Sequence, residues 1–473
     1  MRSLSSGYTT WRLRRQAPVT RVAAPAAKRA PLWPTFSIVF LLCLPSIFPP
    51  IALTVLNGML VGLAAAVVLI TNRQVDRRLL VIISIVSVVA VLGFVGGRDA
   101  PLYEYFKDAW YVANPVLVML AGYTLYAMKP DLGRGLRAFV IAGLIVACWQ
   151  LRGYFIDPTI ITLPAATIRR IIGTGSYVPV LGLVILILFV GHWRTALKLP
   201  SWLGGLFIVV MAMAVAGVFS RSALVVVGIG VAALIGCFGR REWWRVGLPA
   251  VLLVLAGYVA QLYVDTESDY ALQTYGGKLA RTLQELTVGD SVGARDINLN
   301  FRAFETNRAL EQYAAAPVHE MVFGQGFGAT VDLGITMPLQ ITDTGFRGVR
   351  HIGIFHNGYI FLLTKVGMVG LLLYVCVMAY LYGVGRRRAD GPLSDPEVRA
   401  GRLFQFAVVT LAATTYFIAG VFNRTDMFPV LLLIGFLLAH WREQVRVKPR
   451  GIAPLPERMP PTPRPAAMGP ARG

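Results

Sequence analysis

The chain has 473 residues, of which 56% are apolar and only 15% charged, and its formal net charge is +21. Soluble domains carry roughly 25% charged residues, so this composition excludes an ordinary water-soluble enzyme as well as a disordered charged chain. A nucleic-acid binder could carry the positive charge, but not this much hydrocarbon.

Residues 1–33 hold seven Arg and Lys and no acid, and read as a disordered basic tail on the cytoplasmic side. They are too long for a cleavable signal peptide, and no A-x-A site follows. From 34 to 264, and again from 354 to 441, apolar blocks of membrane-spanning length alternate with short basic connectors. Twelve spans are predicted, near 35–48, 51–71, 79–96, 108–128, 134–151, 174–191, 202–219, 221–239, 246–264, 354–384, 402–421 and 426–441. Eleven is the alternative count, because the first block is short and ends in Pro49-Pro50. The expected fold is an all-α polytopic membrane protein of about 12 transmembrane helices.

With the N-terminus inside, the short cytoplasmic connectors carry sixteen Arg and Lys and the external ones seven. That asymmetry obeys the positive-inside rule and puts both tails in the cytoplasm. The positive charge is then a topology signal, with the basic connectors lying against anionic membrane lipid rather than nucleic acid. Cys43, Cys148, Cys237 and Cys376 all fall in apolar blocks without a CxxC pair. Disulfide frameworks, structural zinc and thiol chemistry are therefore not expected.

Residues 265–353 break the pattern as a polar external loop of 89 residues between the ninth and tenth spans, holding eleven of the 24 acids. Loops of this length are usually functional. Within it, residues 301–314 are predicted to form a short helix, with Phe304, Leu310 and Tyr313 on one face and Arg302 one turn from Glu305. Asp296 or Asn298 would cap it. In VFGQGFGA, Gly324, Gly326 and Gly328 mark a turn of close backbone approach. Residues 442–473 form a Pro/Arg-rich tail, expected to be disordered and cytoplasmic. The chain has no Walker A sequence, zinc-protease motif or dinucleotide fingerprint.

His356 is the sharpest candidate, placed where the loop re-enters the membrane in HIGIFHNGYIFLLTKVGMVG. A histidine there can serve as a base or donate to phosphate; the plainer reading is an interfacial or capping residue. Arg221, in VFSRSALVVVGIG, sits between two spans, where an arginine is costly unless it meets a polar cavity or an anion. Its rigid fork suits a diphosphate, although a snorkelling arginine is the alternative. Arg302 and Glu305 form either an i,i+3 surface pair or part of a site, and Arg308 is a further candidate. Arg169 and Arg170 could supply a second anion contact. Asp108 and Tyr111 read as capping and interfacial anchors. The predicted spans lack the acidic clusters of a proton-coupled transporter.

Three blocks, in order, resemble the O-antigen ligase and polymerase superfamily of bacterial inner-membrane glycan enzymes. They are FSRSAL after an apolar span, FRAFETNRALEQYAAAPVHEMVFGQGFGA in the loop, and HNGYIFLLTKVGMVG opening the next span. The resemblance implies glycosyl transfer at the periplasmic face of the inner membrane from a glycan carried on undecaprenyl diphosphate, without cofactor or metal, and with inversion. The acceptor would be another lipid-linked repeat unit for a polymerase of O-antigen or exopolysaccharide, the first choice, or lipid A-core for a ligase. A lipid-linked glycan transporter is the reading from another class. A chain-length regulator or a flippase would be the partner proteins. Carried onto this chain, Arg221 and Arg302, with Arg308, Arg169 and Arg170, would hold the diphosphate. His356 would take the acceptor proton or bond the diphosphate. Glu305 would be a second base or the orienter of Arg302, with Asn357 and the three loop glycines shaping the site. The family often has a tryptophan after its loop arginine; here the sequence is Thr306-Asn307-Arg308, which leaves Arg302 and Arg308 as alternatives for that arginine.

Overall fold

The computed structural model describes residues 33–47, 62, 76–97, 100–163, 165–172, 177–218, 220–238, 301–342, 345–422 and 426–447. The predicted span at 51–71 apart from residue 62, the predicted span at 246–264, loop residues 265–300 with the suggested caps Asp296 and Asn298, and residues 1–32 and 448–473 lie outside them.

The helices, in chain order, are α1 (Trp33–Ile47), α2 (Arg77–Gly96), α3 (Leu102–Met128), α4 (Leu132–Ile156), α5 (Ala165–Ile172), α6 (Tyr177–Leu188), α7 (Ser201–Gly217) and α8 (Arg221–Leu234). The loop contributes α9 (Phe301–Ala314), α10 (Val318–Phe323) and strands β1 (Val331–Thr342) and β2 (Gly345–Ile352). Then follow α11 (Gly358–Ala389), α12 (Pro396–Ile418) and α13 (Phe428–Val447). Among the described residues six helices, α2, α3, α4, α11, α12 and α13, are long and apolar enough to cross a membrane. About 20 residues of helix match the hydrocarbon thickness of a bilayer. At four more predicted spans the structure has shorter apolar helices, α1, α6, α7 and α8.

Local chemistry sets the helix ends. Asp76, Asp131 and Asp395 cap α2, α4 and α12 by accepting the N–H groups of Arg78 (3.0 Å), Arg134 (3.0 Å) and Glu397 (2.8 Å). Such caps satisfy donors that the helix cannot. Arg386, Arg387 and Arg388 close the last turn of α11, where the helix dipole favours cations. In the interior α3 and α13 approach closely: Gly122 lies on the backbone at Leu432 and Gly435 on that at Met119, and neither has room for a Cβ. Small residues at such crossings are the usual device for packing membrane helices.

Two features depart from the expected all-α fold. First, β1 and β2 form an antiparallel hairpin, pairing Val331 with Ile352 and Asp332 with His351. Its alternation is brief: Val331 and Leu333 are buried, but the register shifts after Asp332, so no long period-two pattern marks the strands. Second, the span predicted at 354–384 is broken. Gly367 is non-helical at φ 64°, ψ −166°, a conformation essentially confined to glycine. In a straight helix Tyr359 and Tyr374 would stand about 22 Å apart, yet their ring centroids are 5.8 Å apart. Both hydroxyls reach α12, Tyr359 donating to the Ala412 carbonyl and Tyr374 pairing with Thr415 Oγ1, each at 2.7 Å. Residues 358–366 therefore form a half-helix turned against the rest of α11.

The loop gathers at one end of the bundle. Phe327 N–H donates to Gly93 O at 2.8 Å, near the end of α2. The carbonyl of His356 accepts the Ala419 N–H just beyond α12. At the other end Arg399 reaches the carbonyls of Leu188 and Val190, and Arg402 that of Leu234 (2.6 Å), closing the ends of α6 and α8.

Candidate functional site

The residue pattern of α9 decides what it offers to the bundle. The predicted apolar face was Phe304, Leu310 and Tyr313, but the buried residues are Ala303, Phe304, Glu305, Thr306 and Ala309. Glu305 is thus turned inward and is only 1% exposed. Burying a carboxylate is costly unless it is hydrogen-bonded, and this one is. Oε1 accepts the backbone N–H of His356 at 2.6 Å, and Oε2 lies 2.9 Å from His356 Nδ1. Glu305 is therefore the partner of His356, not of Arg302 as the i,i+3 reading had it.

His356 stands one residue before Asn357, the N-cap of α11, whose side chain accepts the N–H groups of Tyr359 and Ile360. Where Nδ1 donates to that carboxylate oxygen, the neutral ring carries its lone pair on Nε2. The Phe301 ring meets the imidazole edge-on at 6.1 Å. With its main chain and one ring nitrogen held, the His356 side chain is still 48% exposed. The arrangement is an oriented imidazole with one nitrogen open to an incoming group.

Arg302, one helical turn before Glu305, makes no hydrogen bond or ion pair with any described residue. Arg308 is engaged on the outside of α9, donating to Glu311 Oε2 at 2.8 Å and lying 5.6 Å over the Phe304 ring. Arg221 opens α8 beside its cap, Ser220, whose Oγ accepts the Ala223 N–H at 3.3 Å; the Arg221 side chain is not among those described. Nor are the side chains of Arg169 and Arg170, on α5. Tyr111 packs its ring against Phe361 at 6.2 Å.

Gly324, Gly326 and Gly328 all have positive φ, at 84°, 87° and 83°, as a turn of close approach requires. Gly326 lies on the backbone of Gly96 and Gly97, and Gly324 on that of Lys365 and Val366. The turn also fills the break in α11. Gln325 and Gly326 donate their N–H groups to the carbonyls of Thr364 (2.9 Å) and Lys365 (3.0 Å). Beneath it Lys365 Nζ meets Asp108 Oδ2 at 2.6 Å, both side chains fully buried. Asp108 is therefore no interfacial cap. Lys365 was not singled out in the sequence, although a lone cation in the apolar run FLLTKVGMVG is the kind of signal that marks an expensive, partnered charge.

The hairpin is tied to α9 by Gln312, which donates to Thr330 O at 3.1 Å and accepts the Asp332 N–H at 3.2 Å. On its outer face Arg350 forks onto both oxygens of Asp332 at 2.9 Å. Those hydrogen bonds, with one from the Gly334 N–H, hold the Asp332 carboxyl down at about 2.

Residues 206–375 match the model of the O-antigen ligase family. The matched stretch, somewhat over a third of the chain, takes in FSRSAL, α9 with the glycine turn, and HNGYIFLLTKVGMVG. That match supports the resemblance to the O-antigen ligase/polymerase superfamily and points to ligase/polymerase-type glycan processing. No curated protein matches the chain.

Proposed function

We propose that this protein is a glycosyltransferase of the bacterial inner membrane, working at the periplasmic face on a glycan carried by undecaprenyl diphosphate and polymerising O-antigen or exopolysaccharide repeat units. The observation that carries the reading is the two-point grip of Glu305 on His356, which leaves Nε2 as an accessible base. In this reading the acceptor hydroxyl attacks the anomeric carbon and Nε2 takes its proton. The bond to the diphosphate breaks, and the electron pair stays with undecaprenyl diphosphate. Direct attack of this kind inverts the anomeric centre.

Arg302 supplies counter-charge as the leaving group forms, and Arg221 joins it from α8; Arg308, Arg169 and Arg170 are lesser candidates. Cations in a rigid fork match diphosphate oxygens, so activity should survive thorough EDTA treatment. Beneath the half-helix an apolar cavity is lined by Val89, Val116, Leu362, Val377 and Phe422 among others, chemistry that suits a prenyl chain. The description of the matched family favours a second reading, ligation of the glycan to lipid A-core.

The test is reconstitution of the purified protein with defined undecaprenyl-diphosphate oligosaccharide, with lipid A-core offered or omitted. Chain growth without lipid A-core supports the polymerase, and product only in its presence supports the ligase. Failure of both, with movement of the lipid-linked glycan across the bilayer instead, would replace the enzyme by a transporter.

A further inference from the structure

Lys365 and Asp108 take no part in the chemistry proposed above, yet they form a fully buried ion pair. A buried pair is a poor source of stability, since desolvation offsets most of the attraction. What it touches is more informative. Lys365 Nζ also donates to the Ala329 carbonyl, and Asp108 Oδ2 also accepts the Gly328 N–H at 2.7 Å. The pair thus joins α3, the half-helix of α11 and the glycine turn at one point.

Two chains of contacts leave that point and meet again at the dyad. One runs up the half-helix from Lys365 to Asn357 and His356, its lower end closed by the turn at Thr364 and Lys365. The other runs through the turn to Thr330 and Asp332, which Gln312 ties to α9; α9 is also held to α10 by the Tyr313 hydroxyl on Met321 O (2.6 Å). Glu305 lies two turns along α9 from Gln312. His356 and Glu305 thus come from segments that the buried pair ties to one another through the glycine turn.

We propose that Lys365 and Asp108 are positioning residues, a latch that sets the register of Glu305 against His356. The proposal rests on the reading of that dyad as the reacting pair. Its reach is mechanical: a misplacement of about 1 Å can cost about 10²-fold in rate, and the contacts of Lys365 and Asp108 go to each other and to the turn, not to Glu305 or His356.

The test uses the full chain in nanodiscs with the four native cysteines replaced. Spin labels at Glu311 on α9 and Ile354 beside His356 report the relation of the two segments without any reaction. The parent should give one narrow distance distribution. Lys365→Met leaves Asp108 buried and unpaired, so the main variant is Asp108→Asn with Lys365→Met, which buries no lone charge. It should keep its size-exclusion profile, broaden or shift the distance, and lower kcat about 10²-fold with KM within about twofold. An unshifted narrow distance, or an unchanged kcat, would overturn the latch. A shifted distance in a protein whose parent transfers no glycan would leave the latch standing and remove the enzymatic reading. Hydrogen exchange of the unsubstituted protein covers the case in which the variants do not fold. Amides of 325–328 should exchange as slowly as those of 362–366, as one cooperative unit; exchange of the turn at free-loop rates would also sink the proposal.

Discussion

Two histidines of this protein are each held by a glutamate, and they sit near opposite ends of α12. Glu397 is in its first turn and pairs with His440 Nε2 at 2.9 Å. Ala419, just past its last turn, donates to the His356 carbonyl. His440 is 5% exposed, and its other nitrogen, Nδ1, meets the Tyr126 hydroxyl at 2.7 Å. Both of its nitrogens are spent inside the bundle, joining α3, α12 and α13. His356 gives Nδ1 to Glu305 and keeps Nε2 open on a side chain that is 48% exposed. A histidine–carboxylate contact is thus no mark of chemistry in itself. What separates a structural from a reactive imidazole is the second nitrogen, and whether anything outside can reach it.

The comparison breaks first if the two ends do not lie on opposite sides of the membrane. Single cysteines at Glu311 and Ser394, in a background without the native four, should respond all-or-none to an impermeant thiol reagent on intact spheroplasts. Position 311 should label and 394 stay protected; the reverse result would put His356 in the cytoplasm. The next largest effect is on turnover. His356→Gln keeps a hydrogen-bonding side chain but no useful base, and should lower glycan transfer by about 10²–10⁴-fold. Glu305→Gln should fall in the same range, since an amide in place of the carboxylate favours the tautomer with its proton on Nε2.

Arg302 sharpens the picture at the His356 end. It has no described partner to leave stranded, so Arg302→Ala should change stability by no more than about 0.5 kcal/mol while turnover falls about tenfold or more. Arg302→Lys should recover only part, because it keeps the charge but loses the fork. Unchanged turnover in both variants would shift the role to Arg308. His440→Ala should do the opposite. It strands the Tyr126 hydroxyl and the Glu397 carboxylate and should cost about 1–3 kcal/mol, seen as a lower melting temperature, with kcat intact. A His440 variant that keeps its stability and loses kcat would erase the distinction between the two histidines.

Much of this was legible in the chain. Apolar blocks and their basic connectors marked the long helices, because hydropathy acts residue by residue. The helix at 301–314 announced itself by period, and the glycines of VFGQGFGA by the positive φ they permit. The pairing of Glu305 with His356 was not legible, since it joins residues 51 apart in sequence and depends on which face of α9 turns inward. That face carries a carboxylate where periodicity expects an apolar side chain. The break at Gly367 was hidden in a run that reads as one unbroken span, and its cause, backbone donors arriving from the 325–326 turn, is tertiary. Asp108 looked like an interfacial anchor for the same reason: its partner comes from a helix far along the chain.

The smallest expected effect lies on the hairpin, and it checks whether the loop end can be perturbed without touching the dyad. The Asp332 carboxyl is held at about 2, first by the hydrogen bonds of Arg350 and then by the Gly334 N–H, against about 3.9 in an unfolded chain. A carboxyl with a depressed value contributes stability above its unfolded value and loses it as pH falls through its folded one. Asp332→Asn keeps an oxygen for the Gly334 N–H and removes the charge that Arg350 grips, so the variant isolates the ion pair. Because the pair is exposed to solvent, its contribution is screened and small. Hairpin amides of the parent should exchange slightly more slowly than those of Asp332→Asn above about pH 4, and the two proteins should converge as pH approaches about 2. Glycan transfer should be the same in both near neutral pH. A gap that persists at the acid end would mean that Arg350 packs against the strand rather than pairing with its charge. Lost turnover in Asp332→Asn would mean that the hairpin, through Gln312 and α9, bears on Glu305 more directly than the Lys365 latch does.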